Sequence, residues 1–191
     1  MKKLVILLML SILNLAISQN KIFPFKINKV VLENGLTVLS VPFDSPGIIA
    51  YYTVVRAGSR NEVEPGKSGF AHFFEHMMFR GTDKYPEQVY NDILKRLGAD
   101  SNAFTTADWT AYHIVASSDA LETIIDIESD RFMNLKYTVE QFKTEAGAIL
   151  GEYNKSASSP FLSIYEKLQD LAFQLLIFDR EVLFLRKEVR R

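Results

Sequence analysis

The residues in this 191-residue chain best spaced to do chemistry are His72-Phe73-Phe74-Glu75-His76. On an α-helix, residues four apart project from one face a single turn apart, so both imidazoles can chelate one ion. Glu75 follows His72 by three and lies on the same edge. Two neutral nitrogen ligands and a carboxylate close enough to deprotonate water are the parts of a metal-dependent hydrolase, here in the inverse of the commoner His-Glu-x-x-His order. By chance, three fixed residues match at this spacing on the order of once in a hundred such sequences or fewer. The bland alternative makes both histidines core residues among Phe70, Phe73, Phe74, Met77, Met78 and Phe79. That alternative leaves two imidazoles and a carboxylate to be satisfied on an apolar helix without a metal. The aromatic stripe itself reads as core, with no cofactor role.

A centre with two histidines needs a third protein ligand and an open position for water. The chain has no cysteine, which excludes disulfides, a thiolate nucleophile and any Cys-ligated metal, so the ligand must be His or carboxylate. Glu145 and Glu152 stand two helical turns apart and face the same way. Paired glutamates on a helix are more often a solvated face, so spacing alone leaves the third ligand open.

The elements that must position these residues are legible in outline. Lys29 to Val41 alternates around Asn34-Gly35, a strong hairpin signal. Ile48 to Val55 reads as a buried third strand, followed by a polar, turn-rich segment from Arg56 to Ser68. The histidine-bearing helix runs from Gly69 to Phe79 and is closed by Gly81. Pro86 opens a second, amphipathic helix with Val89, Ile93, Leu94 and Leu97 at helical spacing, stopped by Gly98. Thr110 to Ser117 has strand composition. Asp119 with Glu122 predicts a capping box for a helix to about Asn134, and Thr138 with Gln141 a second box for the helix carrying Glu145 and Glu152. Ser159-Pro160 begins a last helix with Leu162, Tyr165, Leu168 and Ala172 on one side. Hairpin strands followed by strands interleaved with long helices predict an α+β sandwich, an antiparallel sheet covered by helices.

Composition narrows the partners. Apolar residues make up 48% and charged residues 24%, the usage of a folded globular domain. A net charge of -1 offers no electrostatic footprint for nucleic acid or an anionic membrane surface. Met1-Lys2-Lys3, the apolar run Leu4 to Ala16 and the small residues of Ala16-Ile17-Ser18 read as a signal peptide over residues 1–18, hence export to a periplasm or the exterior. An uncleaved anchor is the competing reading. The run is shorter than a bilayer span and contains Asn14, so no stable membrane span is expected.

Gly58-Ser59-Arg60-Asn61-Glu62, with Gly69-Phe70-Ala71-His72-Phe73-Phe74-Glu75-His76-Met77-Met78-Phe79-Arg80-Gly81-Thr82, resembles the signature of the pitrilysin/insulinase family of zinc metallopeptidases. The resemblance implies one Zn2+ per chain on His72, His76 and Glu152, with Glu75 as general base and Glu145 orienting the ligands. It also implies that Gly98 to Thr106 is an edge strand on which Asn102, Ala103 and Phe104 pair with a peptide; without it, the segment reads as a loop before a strand. His113 matches no ligand position.

The resemblance spans residues 27–173, after a short extension at 19–26, and fails over a divergent tail at 174–191. The family pairs this domain with later ones, so the expected product is a truncated N-terminal catalytic domain whose active site a second homologous domain or chain would complete. The implied activity is zinc-dependent endopeptidase cleavage of peptides or unfolded segments. A non-catalytic scaffold or partner subunit of the same fold, and an unrelated metal-storage or sensing protein, are the alternatives. A His2Glu site also takes manganese or cobalt.

Overall fold

The structure, a computed structural model, describes residues 23–62, 64 and 69–172. The expected signal peptide and the tail at 174–191 lie outside the described residues. The chain forms two compact units, Met1–Pro46 and Gly47–Arg191. In the first, β1 (Asn28–Val31) and β2 (Thr37–Ser40) pair antiparallel with Val31 opposite Thr37. Between them Gly35 takes the left-handed region at φ 87°, and the Asn34 side chain accepts from the Leu36 N–H at 3.0 Å, so Asn-Gly closes the expected hairpin.

The second unit is the α+β sandwich the pattern predicts. Its antiparallel sheet has the order β3-β5-β4, from β3 (Ile48–Val55), β4 (Asp100–Thr105) and β5 (Thr110–Ser117). Five helices accompany it among the described residues: α1 (Phe70–Met77), α2 (Glu87–Arg96), α3 (Leu121–Asn134), α4 (Val139–Ala157) and α5 (Pro160–Ala172). Ile114 and Ala116 of β5 pack with Tyr90 and Leu94 of α2 and Ile124 and Ile127 of α3, joined by Ile49 and Tyr51.

Ile48–Val55 is not the buried strand its apolar run predicts. It is an edge strand whose Ile49 and Tyr51 face the core while Ile48, Tyr52 and Val54 are exposed. A continuous run of apolar residues satisfies one-faced and two-faced burial alike, so periodicity cannot separate them. The Asp119/Glu122 box is also absent. The chain enters α3 through a tight 3-10 turn, Ser118–Ala120, and the Leu121 N–H donates to the Ser118 carbonyl, so no side chain caps the helix. The Thr138/Gln141 box forms, with reciprocal bonds of 3.2 and 2.8 Å.

Both ends of α1 are pinned. At its start the Glu62 carboxylate accepts from the N–H groups of Gly69 and, at 2.5 Å, Ala71, occupying donors a helix N-terminus leaves free. The same segment holds the β4–β5 turn, since Ser59 and Arg60 donate to the carbonyls of Thr106 and Ala107. A Cβ on Gly58 would lie 2.2 Å from the Thr106 oxygen, so this close approach requires glycine. At the exit, a 3-10 turn over Met78–Arg80 ends at Gly81, φ 85°, where a Cβ would sit 2.5 Å from the Tyr85 oxygen. Helix, turn and strand are thereby fixed as one frame.

Candidate metal centre

The rear face of α1 seats Phe73 and Met77 against Ile149 of α4, and this contact sets the register of the two helices. Glu145 and Glu152 stand four before and three after Ile149, hence on the face of α4 turned to α1. The core reading of the stripe holds for Phe73, Met77 and Met78; Phe70 and Phe74 are exposed.

Beside that seam, three donor atoms converge. His72 Nε2 and His76 Nε2 are 3.3 Å apart, and Glu152 Oε2 lies 3.6 Å from the first and 3.7 Å from the second. At that separation the two nitrogens can share a proton in a hydrogen bond or hold a cation between their lone pairs. A tetrahedral ion with bonds of about 2.0–2.1 Å keeps its donors about 3.4 Å apart, so the triangle has the size of such a site. Burial, and next the neighbouring His76, push the His72 pKa below its ordinary value, against the opposing pull of Glu75, Glu152 and Glu62. His72 is therefore held in the neutral form that can act as a ligand.

The remaining residues of the site surround this triangle. Glu75 is buried and accepts from the Thr105 hydroxyl at 2.6 Å; Thr105 in turn meets Thr110, whose hydroxyl reaches the Ala57 carbonyl. Glu145, also buried, places Oε2 2.9 Å from His76 Nδ1. Its other oxygen meets the Arg80 guanidinium, which also donates to Glu87 at 2.8 Å. The two histidines, Glu75, Glu145, Glu152, Arg80 and Glu87 line a cavity of about 350 Å³ together with Phe79, Asn102 and Ala103.

The fold thus brings together His72, Glu75, His76, Glu145, Glu152, Asn102 and Ala103. It does not bring in the side chain of Phe104, which is exposed and packs edge-on against Trp109 at 5.1 Å. His113 lies outside the cavity, stacked on Tyr52 at 5.4 Å. Thr105, Arg80 and Glu87 escaped the sequence reading. The first two carried a signal: Thr105 follows Ala103 by two and so shares its face, and Arg80 follows His76 by four, on the same helical row. Nothing local marks Glu87.

A family model described as Insulinase (Peptidase family M16) matches residues 49–183. The zinc protease PqqE of Helicobacter pylori is 33% identical over 150 residues, 78% of this chain and 34% of that protein. Mitochondrial cytochrome b-c1 complex subunit 1 of Rattus norvegicus is 31% identical over 144 residues, 75% of this chain and 30% of that protein. The crystal structure of a protease from Helicobacter pylori superposes with a TM-score of 0.70 at 34% identity, covering 74% of this chain and 34% of that one. The chain spans about a third of the length of these curated relatives.

Proposed function

We propose, from the premise that the chain belongs to the insulinase family of peptidases (peptidase family M16), that it carries the metal centre of a zinc-dependent endopeptidase. One observation carries the reading: His72, His76 and Glu152 present three donor atoms within 4.8 Å of one another beside the buried carboxylate of Glu75. Two imidazoles and one carboxylate with an open fourth position are a donor set suited to catalytic zinc, and a relative is named a zinc protease. His72 Nε2, His76 Nε2 and Glu152 Oε2 would hold the ion. When bound, zinc supplies a Lewis acid that makes water more acidic and polarises a peptide carbonyl.

The chain's own residues supply the rest. Glu75 takes the proton of the attacking water and returns it to the leaving amine, a carboxylate acting as base and then as acid. The Thr105 hydroxyl fixes its Oε2 and so orients it. Glu145 holds His76 at Nδ1 and leaves Nε2 for the metal. β4 pairs only with β5 among the described residues, so its outer edge accepts an extended peptide beside Asn102 and Ala103. The Ala103 N–H donates to the Asn102 side chain at 2.9 Å, and a peptide carbonyl would replace that acceptor. An added strand admits extended or unfolded segments and rejects folded ones. Export by residues 1–18 belongs to the same reading, and N-terminal sequencing of the mature chain tests it. No helix among the described residues is long and apolar enough to cross a membrane.

A second reading is a partner subunit that does not cleave, favoured by the relative named as a subunit of the cytochrome b-c1 complex. The deciding experiment measures zinc stoichiometry by chelator competition for the parent and for Glu152→Gln, with cleavage of a quenched fluorescent peptide in the same samples. One zinc in the parent, weakened in the variant, with chelator-sensitive cleavage is the expected result. Zinc without cleavage means that a further domain or chain must complete the site, and absence of zinc overturns the ligand set.

A further inference from the structure

Glu145 is gripped at both ends. One oxygen lies 2.9 Å from His76 Nδ1 and the other meets the Arg80 guanidinium, whose second terminal nitrogen donates to Glu87 at 2.8 Å. An unbroken chain therefore runs from Glu87 on α2 through Arg80 and Glu145 to the imidazole. A carboxylate accepts and does not donate, so His76 Nδ1 carries the proton and Nε2 keeps its lone pair toward His72 and Glu152. The terminal torsion of a glutamate is soft, so a single bond to His76 does not lock it. A planar guanidinium, donating to two carboxylates from two nitrogens, does; an ammonium, a single point charge, cannot reproduce that fork.

We propose that Arg80 is a positioning residue for the metal centre: by clamping Glu145 and bracing on Glu87, it holds His76 in the tautomer that presents Nε2 to the metal. Arg80 touches no reacting group itself and acts through Glu145. The proposal rests on the zinc reading only for what Nε2 is offered to; the clamp and the tautomer exist without metal.

The test uses the 191-residue chain and its variants Arg80→Met, Arg80→Lys and Glu87→Gln. Lys136→Met, which removes a neighbouring exposed ion pair to Asp83, serves as control. Zinc affinity is measured by chelator competition, and imidazole 15N shifts are recorded on the zinc-free chain at one fixed pH. Arg80→Met should weaken zinc by about 10- to 100-fold, the range typical of losing a group that orients a ligand, with Arg80→Lys between it and the parent. Glu87→Gln should weaken it less, and Lys136→Met should match the parent. In zinc-free Arg80→Met the His76 Nδ1 resonance should move from its protonated position toward the average of two tautomers. Parent-like affinity and an unmoved resonance in Arg80→Met would overturn the proposal. If the parent binds no zinc, the zinc reading fails and the 15N arm still decides the role of Arg80. If circular dichroism shows Arg80→Met unfolded, Arg80→Lys and Glu87→Gln carry the test, and parent-like values in both overturn it.

Discussion

Glu128 on α3 and Glu145 on α4 are both buried carboxylates with an arginine on one oxygen, yet their surroundings differ in kind. Glu128 accepts from the Tyr90 hydroxyl at 2.8 Å and from Arg131 at 2.6 Å. Arg131 is itself walled by the rings of Phe79, Tyr90, Tyr112 and Phe132, 4.9 to 5.7 Å away, and its Nε and second terminal nitrogen find no hydrogen-bond acceptor among the described residues. Burial pushes the Tyr90 and Tyr112 hydroxyls far above their ordinary pKa, so both stay neutral. That cluster is enclosed by side chains, and neither Glu128 nor Arg131 lines the cavity of the site. At Glu145 the partner is His76, whose other nitrogen faces a cavity and two further donors. A buried ion pair is therefore weak evidence of function, whereas buried groups that leave donors converging on open volume are strong evidence.

Substitutions can break this contrast. The largest expected effect is on the closed cluster: Arg131→Met strands the Glu128 charge and should lower stability by about 3–5 kcal/mol in urea unfolding while leaving zinc affinity unchanged. A parent-like midpoint would mean that the cluster is not a structural anchor. At the open centre the pattern should invert. His72→Ala or His76→Ala should weaken zinc by more than about 100-fold, beyond the loss typical of an orienting partner, with little change in the unfolding of the metal-free chain. Equal losses of fold and metal would erase the distinction. Thr105→Val tests the border between the two, because it removes the donor to buried Glu75. It should cost about 1–3 kcal/mol of stability, recovered in Thr105→Ser, with zinc retained.

The smallest effect lies on the exposed side of α3, where Asp126 meets Lys84 and Tyr85. Hydrogen bonds from Lys84 first and Tyr85 second hold the Asp126 pKa below 3.8. A carboxyl lowered on folding stabilises above its unfolded value and loses that contribution as pH falls through the folded one. Parent and Asp126→Asn should thus differ slightly at pH 7 and converge at the acid end, and a gap that persists in acid would exclude this ion pair as the cause.

Much of the fold was legible because its signals are local. Asn34-Gly35, the Thr138/Gln141 box and Gly81 each act within a few residues, and each does what its chemistry predicts. Where local chemistry had a competitor, the reading failed. Asp119 lost to a 3-10 turn that satisfies the helix start through backbone alone, and Ile48–Val55 turned out half exposed because an apolar run does not say how many of its faces are covered. The family resemblance names Phe104 beside Asn102 and Ala103 as a strand that pairs with a peptide; its side chain packs on Trp109, outside the cavity lining.

The sequence by itself determined the His72, Glu75 and His76 cluster, because one helical turn places those side chains together whatever surrounds them. It also determined that Glu145 and Glu152 share a face of one helix. Only the tertiary structure decided that this face meets α1, that Thr105 reaches Glu75 across 30 residues, and that Glu145 reaches His76 across 69. Those meetings depend on Ile149 packing against Phe73 and Met77 and on the segment that ties the β4–β5 turn to the start of α1. Contacts between distant segments are selected by how whole surfaces fit, which no local spacing encodes.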